Sequence, residues 1–388
     1  MEHNFSTIDL VQRPLRQTFY RHPPYRKGEQ AFRQSLRVKV KLDIQWAMGQ
    51  SDIQTLDPLV FALLEAVERG QSLRRAAVDC GVSYRHAWGM MRQWQDHLGS
   101  ALVELERGRG ASLSRLGRAL LWSRRRAEAR LRPAVDSFAA EIEQELTALT
   151  AESTPLRLVA SHDLAIELLR ERLLASGKFS FNMVYRGSLD AVRQLAAGHC
   201  DLAGYHVPDL AESRHIEADF RRLLPSDEFQ SVRFVDRNQG LILPFGNPFG
   251  VRTISDLAGN GLRFLNRQAG SGTRLLFDEL LDQADIQPTD IHGYKAEEFT
   301  HLAVAAMVAS GAADASFGVQ AAAERFGLDF VPMVREHYLL AFRKTKPVSA
   351  RLAELLKLLQ TDADLRTAIN ALPGYDASHI GQPWPPET

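Results

Sequence analysis

Apolar residues recur at spacings of three and four through the first third of the chain. Over the rest they come in short strand-like bursts between helical stretches. Leu59, Leu63, Ala66 and Val67 mark one face of a predicted helix over 59–69, opened by Asp57 and Pro58. Ser72 is placed to cap a second helix ending near Asp79, and Ser83 a third that runs to about Leu98. Gly81 suits the left-handed backbone of the short turn between them. Ala77 and Gly81 stand four apart, the small-residue and turn-glycine spacing of a helix-turn-helix. In the third helix Ala87, Met90, Met91, Trp94 and Leu98 form the apolar stripe, which leaves Tyr84, Arg85, His86 and Arg92 on the other face.

Two short segments, 101–105 and 111–113, bracket Glu106-Arg107-Gly108-Arg109-Gly110. Glycines let backbone approach a phosphate and arginines supply charge, so this tip reads as a wing. The alternating stretch LRVKVKLDIQWAMG at 36–49 reads as a half-buried strand able to pair with it. A winged helix-turn-helix is therefore expected over 36–113, preceded by a polar, Arg-rich arm at 1–35. Ser83, Tyr84, Arg85, His86 and Arg92 would face double-stranded DNA, with Tyr84, Arg85 and His86 at base edges; Arg107, Arg109 and Arg115 would hold phosphates.

Ser114 opens a long helix over 114–150. Its apolar positions, Leu116, Leu120, Leu121, Leu131, Val135, Phe138, Ile142, Leu146 and Leu149, suggest pairing with a second copy, and Pro133 is a candidate kink. A dimer is expected, with a tetramer left open; packing of this helix on its own domain is the alternative.

From residue 155 the pattern becomes strand, turn, helix. An apolar residue followed by Gly at +3 and Asp at +6 occurs at Leu195, Gly198 and Asp201, and again at Val308, Gly311 and Asp314. This predicts two similar α/β lobes over 155–385, with a crossover at 233–250 and Gly246, Pro248 and Gly250 as hinge candidates. The strand-to-helix turns carry the candidate chemistry. Gly270, Ser271, Gly272, Thr273 and Arg274 combine a helix N-terminus, two hydroxyls and an arginine, a set suited to an anion. Ser161, His162, Ser188, Thr300 and His301 occupy comparable turns; ordinary N-capping accounts equally well for any single hydroxyl.

Charge sharpens this division. Formal charge is zero overall, yet residues 1–132 hold 23 Lys and Arg against 13 Asp and Glu, so the excess of base lies at the DNA-facing end. Cys80 and Cys200 form no metal or disulfide spacing. No apolar run reads as a signal peptide or membrane span, and a cytoplasmic protein is expected.

Residues 60–117, with GVSYRHAW and ERGRGASLSRLG, resemble the DNA-binding domain of ModE-like regulators and, more distantly, LysR-type regulators. Residues 155–385 resemble a periplasmic-binding-protein-like domain of molybdate-binding type, through QGLILPFGNP, GLRFLNRQAGSGTRLLFDELL and THLAVAAMVASGAADASFGV. The resemblance implies Ser271, Gly272 and Thr273 as ligand donors. It implies a one-component transcription regulator, not an enzyme, with no cofactor and an oxyanion effector: molybdate or tungstate first, another anion or a molybdenum-cofactor-related metabolite second. A phosphate-handling enzyme using His162, Asp163 or His301 is the remaining alternative.

Overall fold

The computed structural model describes residues 40–385, except 50–51, 71, 107–109, 151–154, 177–180, 211–213 and 345–348. The predicted arm at 1–35 and the wing arginines Arg107 and Arg109 lie outside the described residues.

The chain first forms a two-residue pairing of β1 (Ala47–Met48) with β2 (Gln54–Thr55), then α1 (Pro58–Gly70), α2 (Leu73–Asp79) and α3 (Tyr84–Leu98). The caps read from sequence are made: Ser72 accepts the Arg75 N–H and Ser83 the His86 N–H. Gly81 takes φ +70° in the turn between α2 and α3. A hairpin of β3 (Val103–Glu106) and β4 (Gly110–Leu113) follows. Leu63, Leu64, Ala76, Ala87, Trp94, Leu113 and Leu121 share one core.

Of the predicted strand at 36–49, the described residues 40–49 pair only at Ala47–Met48, with β2 and not with the hairpin. These residues are used as a strap instead. Trp46 sits edge-on to Phe61 at 5.5 Å, its carbonyl accepts the Leu56 N–H, and the Val40 N–H reaches Glu143. Tertiary packing overrides the alternating pattern here.

Ser114 caps α4 (Arg115–Thr150) through the Gly117 N–H, and its own hydroxyl donates to the Ala101 carbonyl. A Cβ at Gly117 would lie 2.0 Å from the Leu102 carbonyl oxygen, so only glycine fits where helix meets hairpin. The helix continues through Pro133. Leu120 and Leu121 join the N-terminal core, whereas Leu131 and Phe138, seven residues apart, are exposed.

Next come β5 (Leu156–Ala160), α5 (Leu164–Ser176), β6 (Phe181–Tyr185), α6 (Ser188–Ala196), β7 (Leu202–Pro208), α7 (Arg214–Leu223) and the long β8 (Phe229–Leu243). The second lobe holds β9 (Phe264–Arg267), α8 (Gly272–Gln283), β10 (Glu297–Glu298), α9 (His301–Ala309), β11 (Ala315–Val319) and α10 (Gln320–Arg325). The chain then returns through the long β12 (Asp329–Arg343) to α11 (Ala350–Thr361), α12 (Ala363–Asn370), β13 (Tyr375–Asp376) and β14 (Pro383–Trp384).

Among the described residues these strands form one sheet in the order β10-β9-β11-β8-β12-β7-β5-β6, with β13 and β14 also on β8. Antiparallel β8 and β12 serve both lobes. Residues 239–242 of β8 pair with β11 in one lobe, and residues 336–342 of β12 pair with β7 in the other. The crossover is thus a pair of strands rather than the glycine hinge expected. Gly246, Pro248 and Gly250 lie in a turn beyond the end of β8, held by the Asn247 side chain on Val251.

The repeat read from sequence has a structural meaning. Arg157, near the start of β5, donates to both Asp201 carboxylate oxygens and to the Gly198 carbonyl; its backbone N–H also reaches Asp201. Arg263 makes the same set with Asp314 and Gly311. Each lobe closes its first strand onto the loop after its helix with one side-chain clasp.

Helix α4 packs on both lobes. The Tyr185 N–H donates to Ser137 Oγ at 3.0 Å, Asn182 donates to the Ala140 carbonyl, and Arg186 pairs with Glu141. On the second lobe Thr300 Oγ1 donates to the Ala129 carbonyl at 2.6 Å and Arg130 pairs with Glu298. Among the described residues no helix is long and apolar enough to cross a membrane.

Candidate functional site: the waist between the lobes

The two long strands cross between lobes at Arg237 and Glu336, which are direct cross-strand partners. Both are buried; Arg237 is 1% exposed and Glu336 0%. Glu336 Oε2 accepts Arg237 Nε at 2.9 Å, Arg237 Nη2 at 2.7 Å and Gln239 Nε2 at 2.6 Å. The other side of the guanidinium binds Asp163, which also accepts the Tyr375 hydroxyl and the Ala165 N–H. Burial opposes the charge on Arg237, but Glu336 and Asp163 outweigh it and hold the guanidinium above its ordinary pKa. Sequence reasoning missed Arg237, Gln239 and Glu336. They sit among other polar residues of the same strands, Arg233, Asp236 and Asn238 in β8 and Arg335 and His337 in β12, and only the pairing of β8 with β12 brings them together.

Around this pair the strand-to-helix turns converge. A Cβ at Gly187 would stand 3.2 Å from the Gly270 carbonyl, so the turns of the two lobes meet backbone to backbone. A Cβ at Gly272 would lie 3.5 Å from Ser188 Oγ and 3.9 Å from Glu336 Oε1. Ser188 is the first residue of α6 rather than its cap, which is Gly187. Its hydroxyl oxygen accepts the His206 N–H at 3.3 Å. Ser271 caps α8 by accepting the Arg274 N–H, and Gly270 takes φ +78° before it. Thr273 is buried beside them.

Arg267, at the end of β9, gives Nη2 to the Phe299 carbonyl at 3.0 Å, while its Nη1 is buried without a partner. Burial, with the positive charge of Arg237, lowers its pKa to about 9. His206 and His301 are buried as well, and burial followed by the two arginines pushes both well below the ordinary histidine value. His206 Nε2, His301 Nδ1, Gln239 Oε1 and Glu336 Oε1 are likewise buried and unpartnered. Native proteins rarely leave so many buried polar atoms unpaired in one place.

Two expected ligand residues point elsewhere. Arg274 gives Nε to Asp278 and Nη1 to Glu297 and stacks over Tyr294 at 4.0 Å, so its guanidinium is spent within its own lobe. Thr300 caps α9 through the Ala303 N–H and gives its proton to α4. Ser161 contributes its carbonyl to the Tyr338 hydroxyl. His162 binds Glu167 at 2.7 Å, sits edge-on to Tyr185, and also faces a cavity of about 1050 Å³ walled by Trp46, Phe61, Trp122 and Phe326. Asp163, named for the enzyme alternative, is buried and accepts from Arg237, the Tyr375 hydroxyl and the Ala165 N–H.

At the N-terminal end Tyr84, Arg85, His86, Arg92 and Arg115 are all exposed. Trp88 is exposed as well, one turn after Tyr84, a surface aromatic the apolar-stripe reading passed over.

Residues 171–360 match the family model described as the PBP superfamily domain, and the two-lobed α/β region is a domain of that kind. The chain is 34% identical over 113 residues to an uncharacterized protein in the 5′ region of a ferredoxin 2Fe-2S gene of Clostridium pasteurianum, covering 28% of this chain and 96% of that one. It belongs to the family of that protein. It is also 28% identical over 244 residues to the uncharacterized protein YvgK of Bacillus subtilis, covering 63% of this chain and 78% of that one. Among solved structures, full-length HypT of Salmonella typhimurium, described as a hypochlorite-specific LysR-type transcriptional regulator, is similar at 15% identity. The match has a TM-score of 0.42 and covers 82% of this chain and 99% of that one.

Proposed function

We propose that the chain is a transcription regulator in which a winged helix-turn-helix at 36–113 binds double-stranded DNA and the cleft of the two-lobed domain binds a small anionic effector. The observation that carries this reading is the buried, unpartnered Nη1 of Arg267 between the lobes. A guanidinium kept out of water without a counter-charge at that atom is a place for an acceptor. The free N–H groups at the start of α8 add to it.

At the other end Ser83 caps a helix whose exposed Tyr84, Arg85, His86 and Arg92 present donors and charge to a groove. Helix α4 links the two. It touches Tyr185, which packs on His162, and Thr300, which precedes His301, so movement of either lobe is felt by the helix that carries the DNA-facing unit. Exposed Leu131 and Phe138 supply an apolar face for a second copy, in keeping with two-fold reading of paired half-sites. Molybdate and tungstate enter as effectors through the family resemblance alone.

The test is fluorescence anisotropy of the full chain on double-stranded DNA at several salt concentrations. Binding that weakens steeply with salt and falls in Arg85→Ala is expected. No binding at low salt overturns the reading.

A further inference from the structure

Taking the waist as the effector site, on which this inference rests, we infer that the effector is an organic anion of low charge that carries N–H or O–H donors of its own, and not a bare tetrahedral oxyanion. The unpartnered atoms are of both kinds. Arg267 Nη1 requires an acceptor, whereas Glu336 Oε1 and Gln239 Oε1 require donors. Three donors already converge on Glu336 Oε2, one of them Gln239 Nε2, and that bond fixes the Gln239 amide with its oxygen left over. Glu336 Oε1 faces the start of α8, beside Gly272 and the Ser188 hydroxyl, where an incoming anion would sit.

A fully deprotonated oxyanion offers only acceptors. It would satisfy Arg267 and set its own charge against an unpaired carboxylate oxygen in a site closed to water. The charges already balance, since Arg237 and Arg267 face Asp163 and Glu336. His206 and His301 are held neutral by burial and supply no further positive charge at neutral pH. A dianion would leave the cluster two charges out of balance, whereas a zwitterion or a hydroxylated monoanion leaves it at most one. Its acceptor end meets Arg267 and its donor end meets Glu336.

The experiment is titration calorimetry of the full chain with paired probes that differ by one ammonium group, which brings both N–H donors and a positive charge to Glu336: taurine against ethanesulfonate, and phosphoethanolamine against ethyl phosphate, with molybdate and sulfate as bare oxyanions. Within each pair the amine is expected to bind at least about tenfold tighter, the size of one charged hydrogen bond. In Glu336→Gln that preference should vanish and the bare oxyanions should gain affinity. Equal binding within the pairs, or tight binding of molybdate or sulfate to the unaltered chain, overturns the inference while leaving an anion-binding cleft. If no probe binds either the unaltered chain or Glu336→Gln, or if Arg267→Gln leaves binding unchanged, the cleft reading itself fails. Should Glu336→Gln not fold, the paired probes on the unaltered chain still decide.

Discussion

Thr300 supplies to the Ala129 carbonyl the hydrogen bond that Pro133 cannot. In a helix that carbonyl would accept the N–H four residues on, but Pro133 has none, and Thr300 Oγ1 takes the position at 2.6 Å. The residue that weakens α4 thus also creates its anchor on the second lobe, next to His301 in the waist.

Thr300→Val removes both the α9 cap and the hydroxyl that donates to the Ala129 carbonyl. A loss of about 2 kcal/mol in urea unfolding is expected. Pro133→Ala restores an N–H to Ala129, so in that background the same substitution should cost about 1 kcal/mol less. Strict additivity of the two changes would refute the shared carbonyl.

Arg237→Met leaves Asp163 and Glu336 buried without their counter-ion. The expected cost is about 3–5 kcal/mol at pH 7, measured by denaturant midpoint. Adding Glu336→Leu should recover part of it by removing one of the two unpaired charges; a double variant no more stable than the single one would count against the charge argument.

His206 and His301 have pKa values depressed well below 6.5 in the folded chain. The unfolded state therefore binds more protons once pH drops below about 6.5, and stability present above that value is lost as pH falls further. Each histidine contributes a slope of up to about 1.4 kcal/mol per pH unit. Equilibrium unfolding at pH 7.5 and 5.5 should show this loss, and His206→Gln or His301→Gln should flatten it. A profile that stays steep in both variants would place the acid sensitivity elsewhere.

In the proposed DNA-binding unit, Arg115→Ala should lower the slope of log binding constant against log salt by about one, as loss of a phosphate contact does, whereas Arg85→Ala should weaken binding with little change of slope. The reverse pattern would exchange the two roles.

Much of the fold was legible because its signals are local. Ser72, Ser83, Ser114 and Ser271 each cap the helix they precede, and the Gly and Asp spacings at 198–201 and 311–314 located the two lobes. Half of the clasp was invisible: its arginines, Arg157 and Arg263, lie some fifty residues away along the chain and meet those loops only in the folded sheet. Of the proposed site, Ser188, the 270–273 turn and His301 stand out in sequence through hydroxyls and glycines at strand ends, and the structure brings them together at the waist. Arg274 and Thr300 carry the same signal; Asp278, four residues after Arg274 on one helix, was a partner readable from sequence, whereas Tyr294 and α4 lie outside any local pattern. Arg237 and Glu336 gave no local signal, being 99 residues apart and paired only by strand register.

Pro133 also divides α4 into arms of unequal use. Some eighteen residues, about 27 Å at 1.5 Å per residue, separate it from the start of the helix and the hairpin packed there. A bend of only about 10° at that point would swing the far end by about 5 Å, more than the roughly 3.4 Å rise between base pairs. Because Trp122 on that arm stacks on Phe326, the arm moves with the second lobe, and in the proposed regulator a small rotation of that lobe would be magnified by leverage into a shift of more than one base pair at the groove.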